Sequence, residues 1–247
     1  MFQLIRWGAA FMLLFALAVP GFAFTPDDGE LAQAVHSTYG PLSSWEAEMS
    51  FPDYPGVAVH LWYARGKWRQ EWKSAAGKAI AVGYQGNVSA RCTAEDFPLS
   101  PLFVWMVPNP VETWKSWGVD NATAGYGFCD ETPCYLFGAD TTESGDAPAV
   151  FLDNESEAPL LIRYGTGSDL TTLSYSDFRV LGGFSLPQSV GVTRDGTTIR
   201  ATVRWIAVNR AEGEELYARD ALDPTPCVAP PEPFTLMRGL LKYPTAK

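Results

Sequence analysis

The spacing of apolar positions changes near Gly56. Before it, LAQAVHSTYGPLSSWEAEM carries apolar residues at helical spacing, interrupted by Gly40-Pro41. This predicts a helix from about Glu30 to Tyr39, a turn, and entry into a first strand. From Gly56 the period is two. In GVAVHLWYA, Val57, Val59, Leu61 and Tyr63 share one face, and Ala58, His60 and Trp62 share the other. Arg65-Gly66 follows as a two-residue turn, with glycine supplying a positive φ. In KWRQEWK, Trp68, Gln70 and Trp72 point one way, while Lys67, Arg69, Glu71 and Lys73 point the other. The expectation is a half-buried antiparallel hairpin with a charged outer face. AIAVGY and NVSARC, joined at Gln85-Gly86, predict a second hairpin.

Residues 96–120, DFPLSPLFVWMVPNPVETWKSWGVD, break the alternation with four prolines and a dense set of aromatic rings. Two short helices, or a helix and a loop, suit this stretch better than strands. Residues 121–147 read as a polar, Gly- and Asp-rich loop region. Alternation resumes in APLLIRYG, DLTTLSYSDFRVLGG and SLPQSVGVTRDGTTIRATVRWIAVN, where Asp195-Gly196 is the clearest hairpin signal. Past that turn, Ile199, Ala201, Val203 and Trp205 alternate with Arg200, Thr202 and Arg204. The tail from Asp223 is Pro-rich and extended, with a short helix expected over 234–241. The whole pattern predicts an α+β fold, mainly β: one antiparallel sheet of eight to eleven strands, an N-terminal helix and a mid-chain helical insertion. A sheet with one apolar face must be covered by helices, curl, or do both.

The first 23 residues fall outside that fold. Arg6 gives a positive n-region, AAFMLLFALAV an apolar core, and Gly21-Phe22-Ala23 small residues at a cleavage site. The expected organisation is a signal peptide over 1–23, a sheet domain over 24–222 and a Pro-rich extension over 223–247. No cysteine stands at the cleavage site, the first being Cys92, so a lipid anchor there is disfavoured and a soluble exported protein is expected. Beyond Ala23 there are 17 basic residues against 28 acidic ones, a charge of −11. Such a chain repels phosphate backbones and anionic lipid surfaces, which argues against nucleic acid as a partner.

Four cysteines in an exported chain point to disulfides, with three possible connectivities. Cys129 and Cys134 flank a turn-rich loop and suit local pairing. Cys92 with Cys227 would then tie the tail to the body. No metal is expected, because there is no CxxC, HExxH or HxH and only two histidines. No cofactor motif such as GxxxxGK or GxGxxG follows a strand. Nucleophilic catalysis lacks a GxSxG, and neither His36 nor His60 sits in a triad-like setting, so no enzyme activity is expected.

The signal left is aromatic. Six of the eight tryptophans beyond Ala23 fall between Trp62 and Trp117. These are Trp62, Trp68, Trp72, Trp105, Trp114 and Trp117, joined by Phe103 and Met106. One reading makes them a Trp-rich core. The sharper one makes the 96–120 insertion a lid, with these rings lining an apolar cavity suited to acyl chains. Arg65 or Arg69 would then meet a head group or a carbonyl.

Two stretches resemble a known family. YARGKWRQEW, followed by an apolar strand and Gly-Tyr-Gln-Gly-Asn, resembles the early strands of periplasmic outer-membrane lipoprotein carriers, the LolA-like superfamily. DFRVLGGFSLPQSVGVTRDGTTIRATVRWIAVN resembles that family's closing strands and its Gly-x-x-Leu-Pro turn. The similarity covers about residues 30–217. It implies a strongly curved antiparallel half-barrel whose concave face is capped by a helical lid and receives lipid chains. It places the family's functional arginine at Arg65, although Gly66 stands where the family has proline. The implied function is a periplasmic carrier of lipoprotein or other amphiphilic ligands, working in transport as a chaperone, with envelope transport or receptor proteins as partners. The alternative is an envelope protein-protein interaction module with a Trp-rich core and no ligand.

Overall fold

Asp27 and Glu30 start the first helix reciprocally. The Glu30 N–H donates to Asp27 Oδ1 at 2.9 Å, and the Asp27 N–H donates to Glu30 Oε2 at 3.1 Å, a capping box that pairs two otherwise orphaned donors. The computed structural model describes residues 27–85, 87–93, 103, 110–120, 122–143, 145–210, 212–222 and 227–241. The predicted signal peptide lies outside them. Helix α1 (Asp28–Tyr39) buries Leu31, Val35 and Tyr39, one residue per turn on a single face. Tyr39 reaches across to donate its hydroxyl to the Ser185 carbonyl at 2.9 Å, and burial raises its pKa.

Among the described residues the remaining chain forms twelve strands and two further short helices. The strands are β1 (Ser44–Ser50), β2 (Ala58–Ala64), β3 (Lys67–Ser74), β4 (Gly77–Tyr84), β5 (Asn87–Arg91), β6 (Ala124–Cys129), β7 (Thr132–Phe137), β8 (Ala149–Asp153), β9 (Pro159–Tyr164), β10 (Thr171–Leu181), β11 (Phe184–Arg194) and β12 (Thr197–Val208). Helix α2 spans Pro110–Ser116 and α3 spans Phe234–Leu240. All twelve strands belong to one antiparallel sheet in the order β5-β4-β3-β2-β1-β12-β11-β10-β9-β8-β7-β6, with β5 and β6 at its two ends among the described residues. Two meanders of successive hairpins are therefore joined where β1 pairs with β12, for example Met49 opposite Val203.

The turn chemistry follows the sequence. Arg65 and Gly66 have φ 49 and 89, and Asp195 and Gly196 have φ 48 and 70. Both central residues of each turn are left-handed, as a hairpin matched to the twist of its strands requires. The strand count exceeds the expected eight to eleven because residues 121–147, read as a loop region, contain β6 and β7. Their sequence AGYGFC–TPCYLF is too rich in Gly, Pro and Cys to show clean alternation. A Cys129–Cys134 disulfide closes the hairpin instead.

One continuous core lies on the sheet face covered by the helices. It includes Leu31 and Val35 of α1, Val111 and Trp114 of α2, Phe234 and Met237 of α3, and inward residues from β1 to β4 and β7 to β12. A smaller cluster of Cys134, Leu136, Ala139, Ala149 and Phe151 lies elsewhere, around β7 and β8. The tail reaches both faces. A turn of 3₁₀ helix (Glu214–Tyr217) packs on the outer face of β3. Cys227 then makes a parallel bridge with Lys78 at the β4 edge and a disulfide with Cys92. Finally α3 settles on the covered face, where the Leu240 carbonyl accepts from Thr171 Oγ1 at 3.0 Å.

Candidate ligand-binding site

Three cross-strand rows make up the inner face at the β1–β4 end of the sheet. One row runs Gly83–Trp68–Tyr63–Trp45, the next Ala81–Gln70–Leu61–Ala47, and the third Ala79–Trp72–Val59–Met49. Small residues on β4 face large ones on β3. At Gly83 the match is tight: a Cβ there would lie 2.1 Å from the Trp68 ring. Two aromatic groups flank the middle row. Trp45 packs against Tyr63, Phe103 and Trp205 with ring centroids 5.6, 5.1 and 5.6 Å away. Trp72 packs against Phe51 at 5.8 Å and edge-on against Phe234 at 5.1 Å. Further along the same core, Trp117 of the α2 segment lies 4.7 Å from Tyr164.

This apolar face contains buried polar atoms of two kinds. Some are paired: Trp68 Nε1 donates to the Gln85 carbonyl at 2.8 Å and Trp205 Nε1 to the Pro187 carbonyl at 2.7 Å. Others have no hydrogen-bond partner among the described residues, namely Gln70 Oε1 and the indole Nε1 atoms of Trp45 and Trp72, and the same holds for Trp114 Nε1 on α2. Gln70 is only 4% exposed and stands between Ala81 and Leu61. Buried polar groups in native proteins are nearly always paired, so each such orphan calls for an explanation. An apolar surface with a few unpaired donors and acceptors is the composition of a small-molecule site.

The structure distributes the predicted site residues unevenly. Trp68, Trp72, Phe103, Trp114 and Trp117 all belong to the one covered core. Trp105 and Met106 lie outside the described residues. Trp62 faces away from this group, following the alternation of β2: its ring stacks on His60 at 3.8 Å, with the Arg69 guanidinium 6.0 Å from its centroid. Arg65 is exposed at the tip of the β2–β3 hairpin, two residues beyond Tyr63, and its backbone N–H donates to the Ser43 carbonyl. Sequence reasoning placed Gln70 on the inner face but not in the site, and it overlooked Trp45 and Trp205. Trp205 carried a signal, lying on the inward side of a clean alternating strand. Both disulfides form as paired in the sequence reading, Cys92 with Cys227 and Cys129 with Cys134.

The outer face of β3 corrects one expectation. Arg69 and Glu71, assigned to a solvated charged face, are 5% and 7% exposed. The tail covers them: Arg69 Nη1 donates to the Leu216 carbonyl at 3.1 Å, and Arg69 pairs with Glu71 at 2.8 Å. Burial alone would raise the Glu71 pKa, but Arg69 and Lys73 reverse that and hold it below its ordinary value. Nearby, His60 Nε2 lies 2.7 Å from Glu46 Oε1, and Tyr217 of the covering turn is pushed up to about 12 by burial and the charges of Glu212 and Glu46. Among the described residues no three His, Cys, Asp or Glu side chains gather as a metal site would require, and no helix is long and apolar enough to cross a membrane.

No family model matches the chain, and no curated protein matches it in sequence. Solved structures show a distant similarity to the chain. A LolA superfamily protein from Nitrosomonas europaea superposes with a TM-score of 0.49 at 11% identity, covering 80% of this chain and 100% of that one. A DUF1329 family protein from Desulfovibrio piger gives 0.42 at 13% identity, covering 80% and 100%. A domain from Vibrio parahaemolyticus named for outer-membrane lipoprotein sorting gives 0.42 at 11% identity, covering 78% and 96%.

Proposed function

We propose that the protein is a soluble periplasmic carrier-like protein for lipoproteins or other amphiphilic lipids. It holds acyl chains in an apolar cavity between the sheet and the helical segments that cover it, without covalent chemistry. The observation that supports this reading is the set of polar atoms unpaired among the described residues, Gln70 Oε1 and the Nε1 atoms of Trp45 and Trp72 on a face otherwise aromatic and aliphatic, with Trp114 Nε1 of α2 in the same core. A ligand with an apolar body and a few polar linkages would satisfy them, while each methylene it buries contributes about 0.8 kcal/mol. In this reading the 96–120 segment is the lid, with Trp105 and Met106 added to the lining and Arg65 meeting the head group at the hairpin tip. Trp62, on the other face, has no part in it.

Lipid extraction and native mass spectrometry of the purified protein, followed by titration with a fluorescent acyl probe, test this directly. Co-purifying lipid or saturable probe uptake is the expected result. A protein that carries no lipid and takes up no probe sinks the carrier reading. The near-complete burial of Trp72 and Trp114 favours a second reading, an envelope interaction module with a Trp-rich core. That reading predicts a ligand-free protein.

A further inference from the structure

On the sheet face turned away from the main core, β9 buries a cation. Ile162 and Tyr164 point into the main core, so Arg163 between them points the other way. It pairs across the sheet with Ala149 on β8 and Thr172 on β10. Only 5% of the residue is exposed. Its guanidinium carbon lies 5.1 Å from the centre of the Phe151 ring, so the aromatic face supports the charge. Two of its nitrogens, Nε and Nη2, are buried without a hydrogen-bond partner among the described residues. Among the described residues no carboxylate reaches ion-pair distance of it. Asp146 is near enough to act electrostatically but is itself exposed.

A guanidinium stays charged in proteins, and an unpaired buried charge is among the costliest features a fold can carry. The two orphaned nitrogens are the adjacent donors of one edge of the planar fork. That edge matches two oxygens of one carboxylate or one phosphate, accepting two parallel hydrogen bonds. Loss of solvation lowers the Arg163 pKa, and Asp146 offsets this only in part, which fits a cation whose matching anion is not supplied by the described residues.

We propose that Arg163 is an oxyanion-binding site, its Nε–Nη2 edge receiving a carboxylate or phosphate oxygen pair on the face opposite the main core. This site does not depend on the carrier reading, because no residue is shared between the two faces.

Thermal unfolding of the full chain in sodium phosphate, sodium acetate and sodium chloride at matched ionic strength tests it. Phosphate, acetate or both should raise Tm saturably relative to chloride, and the more effective salt identifies the preferred oxyanion. Arg163→Met should abolish the anion dependence and, in chloride, melt no lower than the wild type, since it removes an unpaired charge. Arg163→Lys keeps the charge but loses the paired donors, and should weaken the apparent anion affinity by about tenfold or more. If Arg163→Met does not fold, the lysine variant carries the test, and an unchanged anion dependence in it overturns the proposal. Equal Tm values in all three salts, or an anion shift that survives in Arg163→Met, also overturn it. So does a loss of Tm in chloride on Asp146→Asn, which would make Asp146 the resident partner.

Discussion

Phe234 stands edge-on to Trp72, the ring planes at 85° and the centroids 5.1 Å apart. The contact joins the last described helix to the third strand of the sheet. The chain arrives there from the outer face of β3, past the β4 edge where Cys227 is bonded to Cys92. The staple therefore sits between the two places where the tail is held.

Reducing that staple should loosen α3 first. The bond closes a loop with a sequence separation of 135 residues, for which chain entropy gives a stabilisation of up to about 5 kcal/mol. Paired Cys92→Ser and Cys227→Ser replacement should lower the denaturant midpoint. It should also speed hydrogen exchange at the Met237 and Leu241 amides, which bond to Pro233 and Met237 carbonyls, more than in β10–β12. Uniform acceleration across the sheet would show that the staple does not act on α3 locally. Phe234→Ala should reproduce the helix-specific loosening with the disulfide intact, at a cost of about 3–5 kcal/mol for an aromatic side chain lost from a core.

Arg69 and Glu71 should behave as a unit. Removing Glu71 strands the buried Arg69 and costs about 3–5 kcal/mol, removing Arg69 leaves Glu71 the partly exposed Lys73 at 3.3 Å, and replacing both partners of a buried pair with apolar residues is often neutral. Arg69→Met and Glu71→Met should each destabilise, and the double variant much less than their sum, as read from urea midpoints. The pH dependence has a definite sign. The folded-state pKa of Glu71 is depressed below 4.5, so its contribution is present above the unfolded value and is lost as pH falls through the folded one. The gap between wild type and Glu71→Gln should therefore be constant near neutrality and narrow below about pH 4.5. A gap that widens on acidification would contradict the assignment.

Trp68 and Gly83 form the tightest small-to-large pair on the inner face. A methyl group at Gly83 would meet the Trp68 ring at 2.1 Å and the Asn87 carbonyl at 2.3 Å. Gly83→Ala should cost about 1–3 kcal/mol by overpacking and disturb the Trp68 Nε1 bond to Gln85, visible as a change in near-ultraviolet circular dichroism. An unperturbed spectrum would mean that the ring is free to move aside.

The extent to which the sequence disclosed this arrangement depended on alternation. Where apolar and polar positions alternate without interruption, as from Val59 to Trp72 and from Ile199 to Trp205, strands, turns and facing directions all follow. Asp195-Gly196 and Arg65-Gly66 mark turns because few residues tolerate two successive positive φ angles. The hairpin β6–β7 was hidden because glycine and a disulfide replace alternation there. The burial of Arg69 and Glu71 was hidden for a different reason. Alternation reports which face a residue is on, but not whether a distant segment such as Glu214–Tyr217 covers that face. The same limit applies to Arg163, whose strand position is plain while the want of a counter-charge among the described residues emerges only from the packing of β8 and β9.

Gln70 offers the sharpest separation of a ligand site from a structural core. Its Oε1 is buried between Ala81 and Leu61 without a partner among the described residues, so an apolar replacement of similar size relieves a desolvation penalty of about 1–3 kcal/mol. Gln70→Leu should raise the urea midpoint if the carboxamide is kept for a ligand, and should weaken uptake of an acyl probe that carries a polar linkage. Trp72→Ala should lower both quantities, since it removes core volume and site surface together. Stability up with binding down is the pattern of a residue retained for function against the interest of the fold. A Gln70→Leu protein that is destabilised and binds the probe as well as wild type would show that the carboxamide serves the core.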